Sequence, residues 1–152
     1  MVYMARPNDD AVRLSISGAD MEFELDLPMA GSAVAAGFPS PAGDYQGMKI
    51  NLNSELVRNP ASTFFARVSG VSMVDSGIDD GDLLVIDKSL EPTNGAVAIC
   101  YVDGEFTLKR LSVTSEGLFL MPANENYQPI KIHPEEDFRV WGIVTYVIKS
   151  LR

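Results

Sequence analysis

The fold is decided by residues 95–111, which read GAVAICYVDGEFTLKRL. Two runs rich in β-branched and aromatic residues flank the pair Asp103-Gly104, and an Asp-Gly pair between two such runs is a strong signal for a two-residue hairpin. Runs of this kind, separated by glycines and polar turns, occur at 64–68, 82–87, 95–102, 105–111, 117–121 and 139–148. Six or seven short strands with few helices predict a single compact, mostly β domain.

One short helix is predicted within this β pattern. Asn53 or Ser54 is a suitable N-cap, because a short polar side chain can accept a bond from the first free N–H groups of a helix. The helix would then run over 55–58 and end before Pro60, whose ring does not fit a helix interior. A helix this short leaves the β character of the domain unchanged.

The N-terminal segment differs in character from the rest of the chain. Residues 21–27 alternate apolar and acidic side chains strictly, and Leu14 and Ile16 make a shorter version upstream. Both have the period of two that is typical of a half-buried strand. Residues 29–37 are mostly small, so this run can lie extended in a cleft or stay mobile. We therefore expect an extended N-terminal arm in front of the domain.

Composition excludes several classes of protein. The 152 residues carry 12 Lys and Arg against 21 Asp and Glu, and a net charge of -9 argues against binding of nucleic acid by broad electrostatics. One cysteine cannot form an intramolecular disulfide, and one histidine cannot supply a three-His zinc site. No apolar stretch is long enough to span a membrane, and the acidic N-terminal segment has no apolar region of the secretory kind. The sequence predicts a cytoplasmic protein.

Two other polar features are interpreted as structural. Asp75, Asp79, Asp80 and Asp82 lack the glycine spacing and the closing glutamate of a calcium loop, so they are turn residues. Cys100 is a buried strand residue, because free cysteine behaves as a small hydrophobe. Neither a metal nor a cofactor is expected.

A candidate nucleophile follows the strand that ends at Val68. Residues 68–73 read VSGVSM, and Ser72 comes just after a glycine that permits a tight turn. A serine there can project its hydroxyl beside free backbone N–H groups, although on pattern alone a polar turn is the commoner outcome. Its base is either His133, next to an acidic loop, or Lys109, within an apolar strand. Loss of hydration would lower the pKa of such a lysine, and strand parity permits this burial without requiring it.

Several separated motifs carry a resemblance. These are Ala36-Gly37 followed by FPSPA at 38–42, then SGVSM at 69–73, IDDGDLLVID at 78–87 and GEFTLKR at 104–110. In this order they closely resemble the self-cleaving Ser-Lys peptidase family of LexA-type repressors, phage repressors and UmuD mutagenesis proteins of the bacterial SOS response. The resemblance covers residues 36–152, and it implies the β fold of the peptidase domain of that family.

The resemblance implies a role for each matching residue. Ser72 matches the nucleophile, Lys109 matches the general base, and the Ala36–Gly37 bond matches the scissile bond. The backbone N–H groups of Ser72 and Met73 match the oxyanion hole. The chain would thus comprise an arm, 1–36, that is removed by self-cleavage, and a Ser-Lys peptidase domain, 37–152.

The resemblance also implies partners. A RecA nucleoprotein filament would stimulate cleavage, and the trimmed form would join a Y-family, UmuC-like DNA polymerase for translesion synthesis; family members are homodimers. Only 36 acidic residues precede the bond, where LexA-type repressors carry a helix-turn-helix domain, which favours the UmuD branch. A LexA-like repressor fragment and a non-catalytic interaction module remain the alternatives. A signal peptidase also uses Ser-Lys chemistry, but no membrane anchor is visible.

Overall fold

A computed structural model describes residues 13–21, 26–30, 45–70, 76–121 and 128–152. Their backbone forms ten strands, one five-residue α-helix and one turn of 3-10 helix. The elements are β1 (Arg13–Gly18), β2 (Asp26–Ala30), β3 (Tyr45–Asn51), α1 (Leu52–Leu56), the 3-10 turn (Pro60–Ser62), β4 (Thr63–Ser69), β5 (Leu83–Asp87), β6 (Val97–Val102), β7 (Glu105–Thr114), β8 (Gly117–Met121), β9 (Ile130–Lys131) and β10 (Phe138–Ile148). The prediction of a mostly β fold is confirmed.

Eight strands form one antiparallel sheet, in the order β1-β4-β5-β10-β6-β7-β8-β9, and β2 pairs with β3 separately. The last strand in the sequence, β10, lies between β5 and β6 and joins the two halves of the sheet. It carries two bulges, and the first leaves Trp141 as the extra residue between Val140 and Gly142. A bulge bends a strand and increases its twist, which lets one sheet curve around two cores.

The central hairpin forms as the Asp-Gly pair predicts. Val102 and Glu105 close the loop between β6 and β7, and the two residues between them have φ angles of 46° at Asp103 and 89° at Gly104. Positive φ at both positions defines a type I′ turn, whose twist matches that of the flanking strands. The hairpin thereby fixes the register of β7, in which Lys109 lies opposite Ala98.

Apolar side chains form two clusters on opposite faces of this hairpin. Ile99 and Leu108 belong to the first, together with Ala66, Val68, Ile78, Leu84 and Ile86. Ala98, Cys100 and Leu111 belong to the second, together with Leu120 and Ile143. Consecutive residues of β6 are therefore buried on both of its faces, which explains the continuous apolar run in the sequence. Cys100 is fully buried, as predicted.

The first cluster extends into a group of aromatic rings. Trp141 contacts Phe64 at 5.2 Å and Phe106 at 5.9 Å between ring centroids, and Tyr101 contacts Phe106 at 5.4 Å. The Lys88 ammonium lies 4.7 Å from the Trp141 centroid, which suits a cation–π contact. Trp141, which the sequence left between a core and an interface role, packs against the first cluster.

All six strands predicted from 64 onward are present, with ends that differ by at most three residues. The predicted helix is placed wrongly: it spans Leu52–Leu56, and its cap is Asn51, whose side chain accepts bonds from the Asn53 and Ser54 N–H groups. Asn51 is the last residue of β3, and the sequence pattern gave no sign of that strand.

The N-terminal predictions are confirmed in part. Leu14 and Ile16 lie on β1, as their alternation predicts. The strand predicted over 21–27 is wrong at Met21, which lies outside any strand, whereas Asp26 and Leu27 belong to β2 and residues 22–25 lie outside the described part of the chain. No helix among the described residues is long and apolar enough to cross a membrane.

Candidate active site

Lys109 lies in the middle of β7, on the strand face that carries the second apolar cluster. Ala98 lies directly opposite it, and Cys100 lies opposite Thr107, one side chain further along the same face. Leu111, two residues on, is almost fully buried on that face. Lys109 itself is half-buried, so its alkyl stem crosses apolar surface. The burial that strand parity only permits is realised.

This position has an electrostatic consequence for the amine. Burial disfavours the charged form and lowers the pKa of Lys109 below its ordinary value of 10.5. The Cys100 thiol does not restore the charge, because burial raises the pKa of Cys100 to about 12 and the thiol stays neutral. Lys109 is thus an amine whose neutral form is favoured, which is the requirement for a lysine base.

The segment that carries the candidate nucleophile has fixed ends. Ser72 and Met73 lie outside the described residues, as does the Ala36–Gly37 bond, so the structure does not bring these predicted site residues together with Lys109. At one end, the Gly70 N–H donates to Asp80 Oδ1 at 2.9 Å, and the φ of Gly70 is 106°. At the other end, Ser76 Oγ accepts a bond of 3.1 Å from Arg110 Nη2.

Arg110 is the residue next to Lys109 on β7, and its guanidinium makes a second bond. Its Nη1 donates to the Gly95 carbonyl oxygen at 2.6 Å, at the start of the chain that leads into β6. The side chain therefore links the end of the segment that carries Ser72 to the β6–β7 hairpin that carries Lys109. The sequence analysis quoted Arg110 within a motif and assigned it no role.

The turn that follows Ser76 is held by a second cation. Lys149 Nζ lies 2.7 Å from Asp79 Oδ2 and 2.6 Å from Asp82 Oδ2, and the Asp79 N–H donates to the same Asp82 oxygen. Hydrogen bonds to Asp79 and Asp82 raise the pKa of Lys149. The Asp82 side chain is 4% exposed, so this partner compensates a buried carboxylate.

These bonds bear on the interpretation of the aspartates as turn residues. Asp80 and Asp82 both bond backbone N–H groups of this turn, which is what short acidic side chains do in turns. In the described ranges, His, Cys, Asp and Glu side chains form no group of three that could hold a metal ion. Asp75 lies outside those ranges.

The other candidate base, His133, lies far from Lys109. It is exposed in the loop after β9, and β9 is two strands away from β7. The Ile132 N–H donates to the Leu118 carbonyl oxygen, and Leu118 is opposite Val113. His133 is therefore at least four residues, or about 13 Å, from Lys109 along the strand direction. The two bases cannot act on one proton together.

Two positioning residues were missed by sequence reasoning. Lys149 is 67 residues from Asp82, and Arg110 is 34 residues from Ser76. No local pattern reports pairs so distant in the sequence. The one available signal was the position of Asp82 directly before an apolar strand, where a carboxylate needs a compensating partner.

The sequence comparisons agree with this geometry. The sequence profile described as Peptidase S24-like matches residues 28–145. MucA of Salmonella typhimurium is 41% identical over 121 residues, which are 79% of this chain and 82% of MucA. SamA of Salmonella typhimurium strain LT2 is 42% identical over 125 residues, which are 82% and 86%. The LexA repressor of Pseudoalteromonas atlantica is 37% identical over 140 residues, which are 91% of this chain and 67% of the repressor.

A profile match over most of the chain and relatives of this identity confirm the resemblance that the motifs carried. With its strand-borne, desolvated lysine and its antiparallel sheet, the chain belongs to the Peptidase S24-like family, whose chemistry is of the serine peptidase type.

Proposed function

We propose that this chain is a self-cleaving Ser-Lys peptidase whose substrate is its own Ala36–Gly37 bond. The observation that carries the proposal is Lys109, an amine with a lowered pKa on a rigid strand of a Peptidase S24-like domain. The bond between Ser76 and Arg110 supports it, because Ser76 is four residues from Ser72 and Arg110 is next to Lys109.

The reaction would proceed in two stages. Neutral Lys109 takes the hydroxyl proton of Ser72, and Ser72 Oγ attacks the Ala36 carbonyl carbon. The backbone N–H groups of Ser72 and Met73 stabilise the resulting oxyanion. The C–N bond to Gly37 then breaks, and protonated Lys109 gives its proton to the leaving amine. Water hydrolyses the ester on Ser72, which releases residues 1–36 and the 116-residue body, 37–152.

A cellular role follows from the relatives. In this role the chain acts in SOS mutagenesis: a RecA nucleoprotein filament favours the conformation in which the arm lies in the cleft, and the trimmed homodimer serves a Y-family, UmuC-like polymerase in translesion synthesis. RecA needs to supply no catalytic group, because stabilising a minor conformation is sufficient to accelerate cleavage. The similarity to MucA and SamA supports this role.

Mass spectrometry of the purified chain tests the reaction. We expect fragments 1–36 and 37–152 to accumulate faster as the pH rises, with a midpoint below 10.5, because the pKa of Lys109 is lowered. Ser72→Ala and Lys109→Ala should stay intact. Lys131→Ala, which alters an exposed lysine on β9, is the matched control and should be cut as the wild type is. Wild-type chain that stays intact at alkaline pH and with activated RecA filament would overturn the proposal.

Two further variants test the assignment of individual residues. His133→Ala should be cut normally, and a variant that is not cut would replace the Ser-Lys pair by a histidine mechanism. Gly37→Leu should block cleavage, because a side chain at this position prevents close approach in a narrow cleft. Normal cleavage of Gly37→Leu at the same rate would show that the scissile bond lies elsewhere.

A repressor-like role is the second candidate, and one observation favours it. The alignment with the LexA repressor covers 91% of this chain, more than the alignments with MucA or SamA. Specific binding of duplex DNA that is lost on self-cleavage would support this role. The net charge of -9 argues for the opposite result, that is, no binding at moderate salt.

A further inference from the structure

Strand β1 closes one edge of the large sheet. It is the first strand in the sheet order and pairs only with β4 among the described strands. Residues 13–18 belong to the segment that cleavage at Ala36–Gly37 would separate from the body. The inference below therefore rests on the proposed function, since it concerns what that cleavage does to β4.

The contact between β1 and β4 is extensive. Six residue pairs are in register, from Arg13 opposite Ser69 to Gly18 opposite Phe64, and the Ala19 N–H donates to the Thr63 carbonyl oxygen just beyond them. A ladder of this length satisfies the backbone groups on the outer side of β4. Without β1, the outer N–H and C=O groups of β4 would form an open edge.

The side chains of β1 divide between two environments. Leu14 and Ile16 are partly buried and pack against the first apolar cluster, whereas Ser15 and Ser17 are exposed. Departure of β1 would thus uncover two aliphatic positions beside the cluster as well as the backbone edge. An open edge with apolar positions beside it is the recognition surface used in β-strand addition.

We propose that release of β1 converts the outer edge of β4 into an acceptor site for an extended segment of another protein. The segment carries two aliphatic residues, two positions apart, that replace Leu14 and Ile16. An acidic residue stands between them, because the position of Ser15 lies directly opposite Arg67, whose charged side chain is exposed. Arg67 already donates to the Gly81 carbonyl oxygen at 3.0 Å, which holds its guanidinium beside this edge.

A second copy of β4 fits this edge poorly. Its Ala66 and Val68 are buried in the core of their own subunit, so they could not also fill the positions of Leu14 and Ile16 on the first subunit. Pairing of β4 strands about Arg67 would also place two like charges opposite each other, which is destabilising. A free extended segment has neither difficulty.

The test uses the full chain with Ser72→Ala, so that no cleavage takes place. Leu14→Asp with Ile16→Asp should release β1, because both buried positions of the strand become charged. Ser15→Asp with Ser17→Asp adds the same charge on the exposed face and is the matched control. The probe is a fluorescent peptide of residues 13–19, titrated into each protein by anisotropy.

The peptide should bind the release variant and bind the control and the parent chain at least about ten-fold more weakly, because their edge is occupied. A peptide with Ser15→Glu should bind tighter than one with Ser15→Lys, and added salt should reduce the difference. Hydrogen exchange of β4 amides checks that β1 has left, and Leu14→Ala with Ile16→Ala is the milder release variant should the acidic one lose its Trp141 fluorescence signature.

Exposed β4 amides without peptide binding would overturn the acceptor site. Self-association of the release variant with protected β4 amides would overturn the choice of occupant in favour of a second copy. Since every protein in this test carries Ser72→Ala, these results do not depend on catalysis. Failure of the wild-type chain to cut itself would overturn the proposed function and leave the acceptor edge standing.

Discussion

The Asp87 carboxylate at the end of β5 is the most heavily bonded side chain near the core. It accepts bonds from Asn59 Nδ2 at 2.8 Å, Ser62 Oγ at 2.8 Å, the Ser89 N–H at 2.8 Å and Ser89 Oγ at 2.7 Å. It is 5% exposed. The bonds join the chain that leads into β4 to the turn that leaves β5. We expect this carboxylate to control the stability of the fold in acid.

The magnitude follows from the pKa. Burial raises the pKa of Asp87, but hydrogen bonds from Ser89, Asn59 and Ser62 outweigh burial and lower it from 3.8 to about 2. At about 1.4 kcal/mol per pH unit, this difference corresponds to about 2.5 kcal/mol of folding free energy. Because the folded-state pKa is depressed, the stabilisation is fully present above 3.8 and is lost as the pH falls through about 2.

Asp87→Asn is the perturbation, and urea unfolding from pH 7 to pH 2 is the assay. Fluorescence of Trp141, the one tryptophan of the chain, reports on β10 beside β5. In a Ser72→Ala background, the ionic part of the difference between the parent chain and the Asp87→Asn variant should be about 2.5 kcal/mol at pH 7, about 1.3 kcal/mol at pH 3 and about 0.4 kcal/mol at pH 2. The amide N–H group of asparagine adds a penalty that does not vary with pH.

The pH dependence decides the outcome. A difference that is the same at pH 7 and pH 3, or smaller than about 1 kcal/mol at pH 7, would refute the reasoning. Asp137→Asn, at an exposed aspartate, is the matched control and should change stability by less than about 0.5 kcal/mol throughout.

Two further predictions concern stability. Lys109→Met should stabilise the fold at neutral pH, because burial lowers the pKa of Lys109, and this gain should vanish as the pH approaches 10.5; Lys149→Met should do the reverse, because its carboxylate partners raise the pKa of Lys149 and its stabilisation persists until the pH exceeds 10.5. The same sign for both variants in urea unfolding would contradict the two pKa directions. Gly142→Ala should cost about 1–3 kcal/mol, because a Cβ there would stand 2.5 Å from Ile86 Cγ2, whereas Gly18→Ala meets nothing within 4 Å and should be nearly neutral by thermal unfolding. A Gly142→Ala chain as stable as the wild type would show that β10 can shift away from β5.

The strands were predictable because their signals are local. The Asp103-Gly104 turn, with positive φ at both residues, encodes the central hairpin within a few positions of the sequence. Alternation of Leu14 and Ile16 likewise predicted β1. The helix cap was misplaced because Asn51, Asn53 and Ser54 are all good capping residues, and which of them caps depends on where β3 ends. That end is set by pairing with β2, which is not a local property.

The neighbours in the sheet were not predictable in this way. β10 lies between β5 and β6 although it comes last in the sequence, and its bulge at Trp141 depends on contact with two strands at once. The bond from Lys149 to Asp82 follows only from that insertion, because β10 delivers Lys149 to the turn before β5. Burial of Lys109 has the same origin. The parity of β7 allowed it, and the second cluster, built from five residues of four strands, decided it.

Lys109 shows why a peptidase of this kind needs the complete sheet. A lysine is useful as a base only where its charged form is disfavoured, and disfavouring a charge costs stability. The rest of the domain offsets that cost with ionised groups that keep their partners, Asp87 among its hydrogen bonds and Asp82 with Lys149. In the proposed mechanism the substrate arm is also structural, because its strand β1 covers β4. Hydrolysis of one peptide bond would then end the reaction and change the surface of the sheet in a single step.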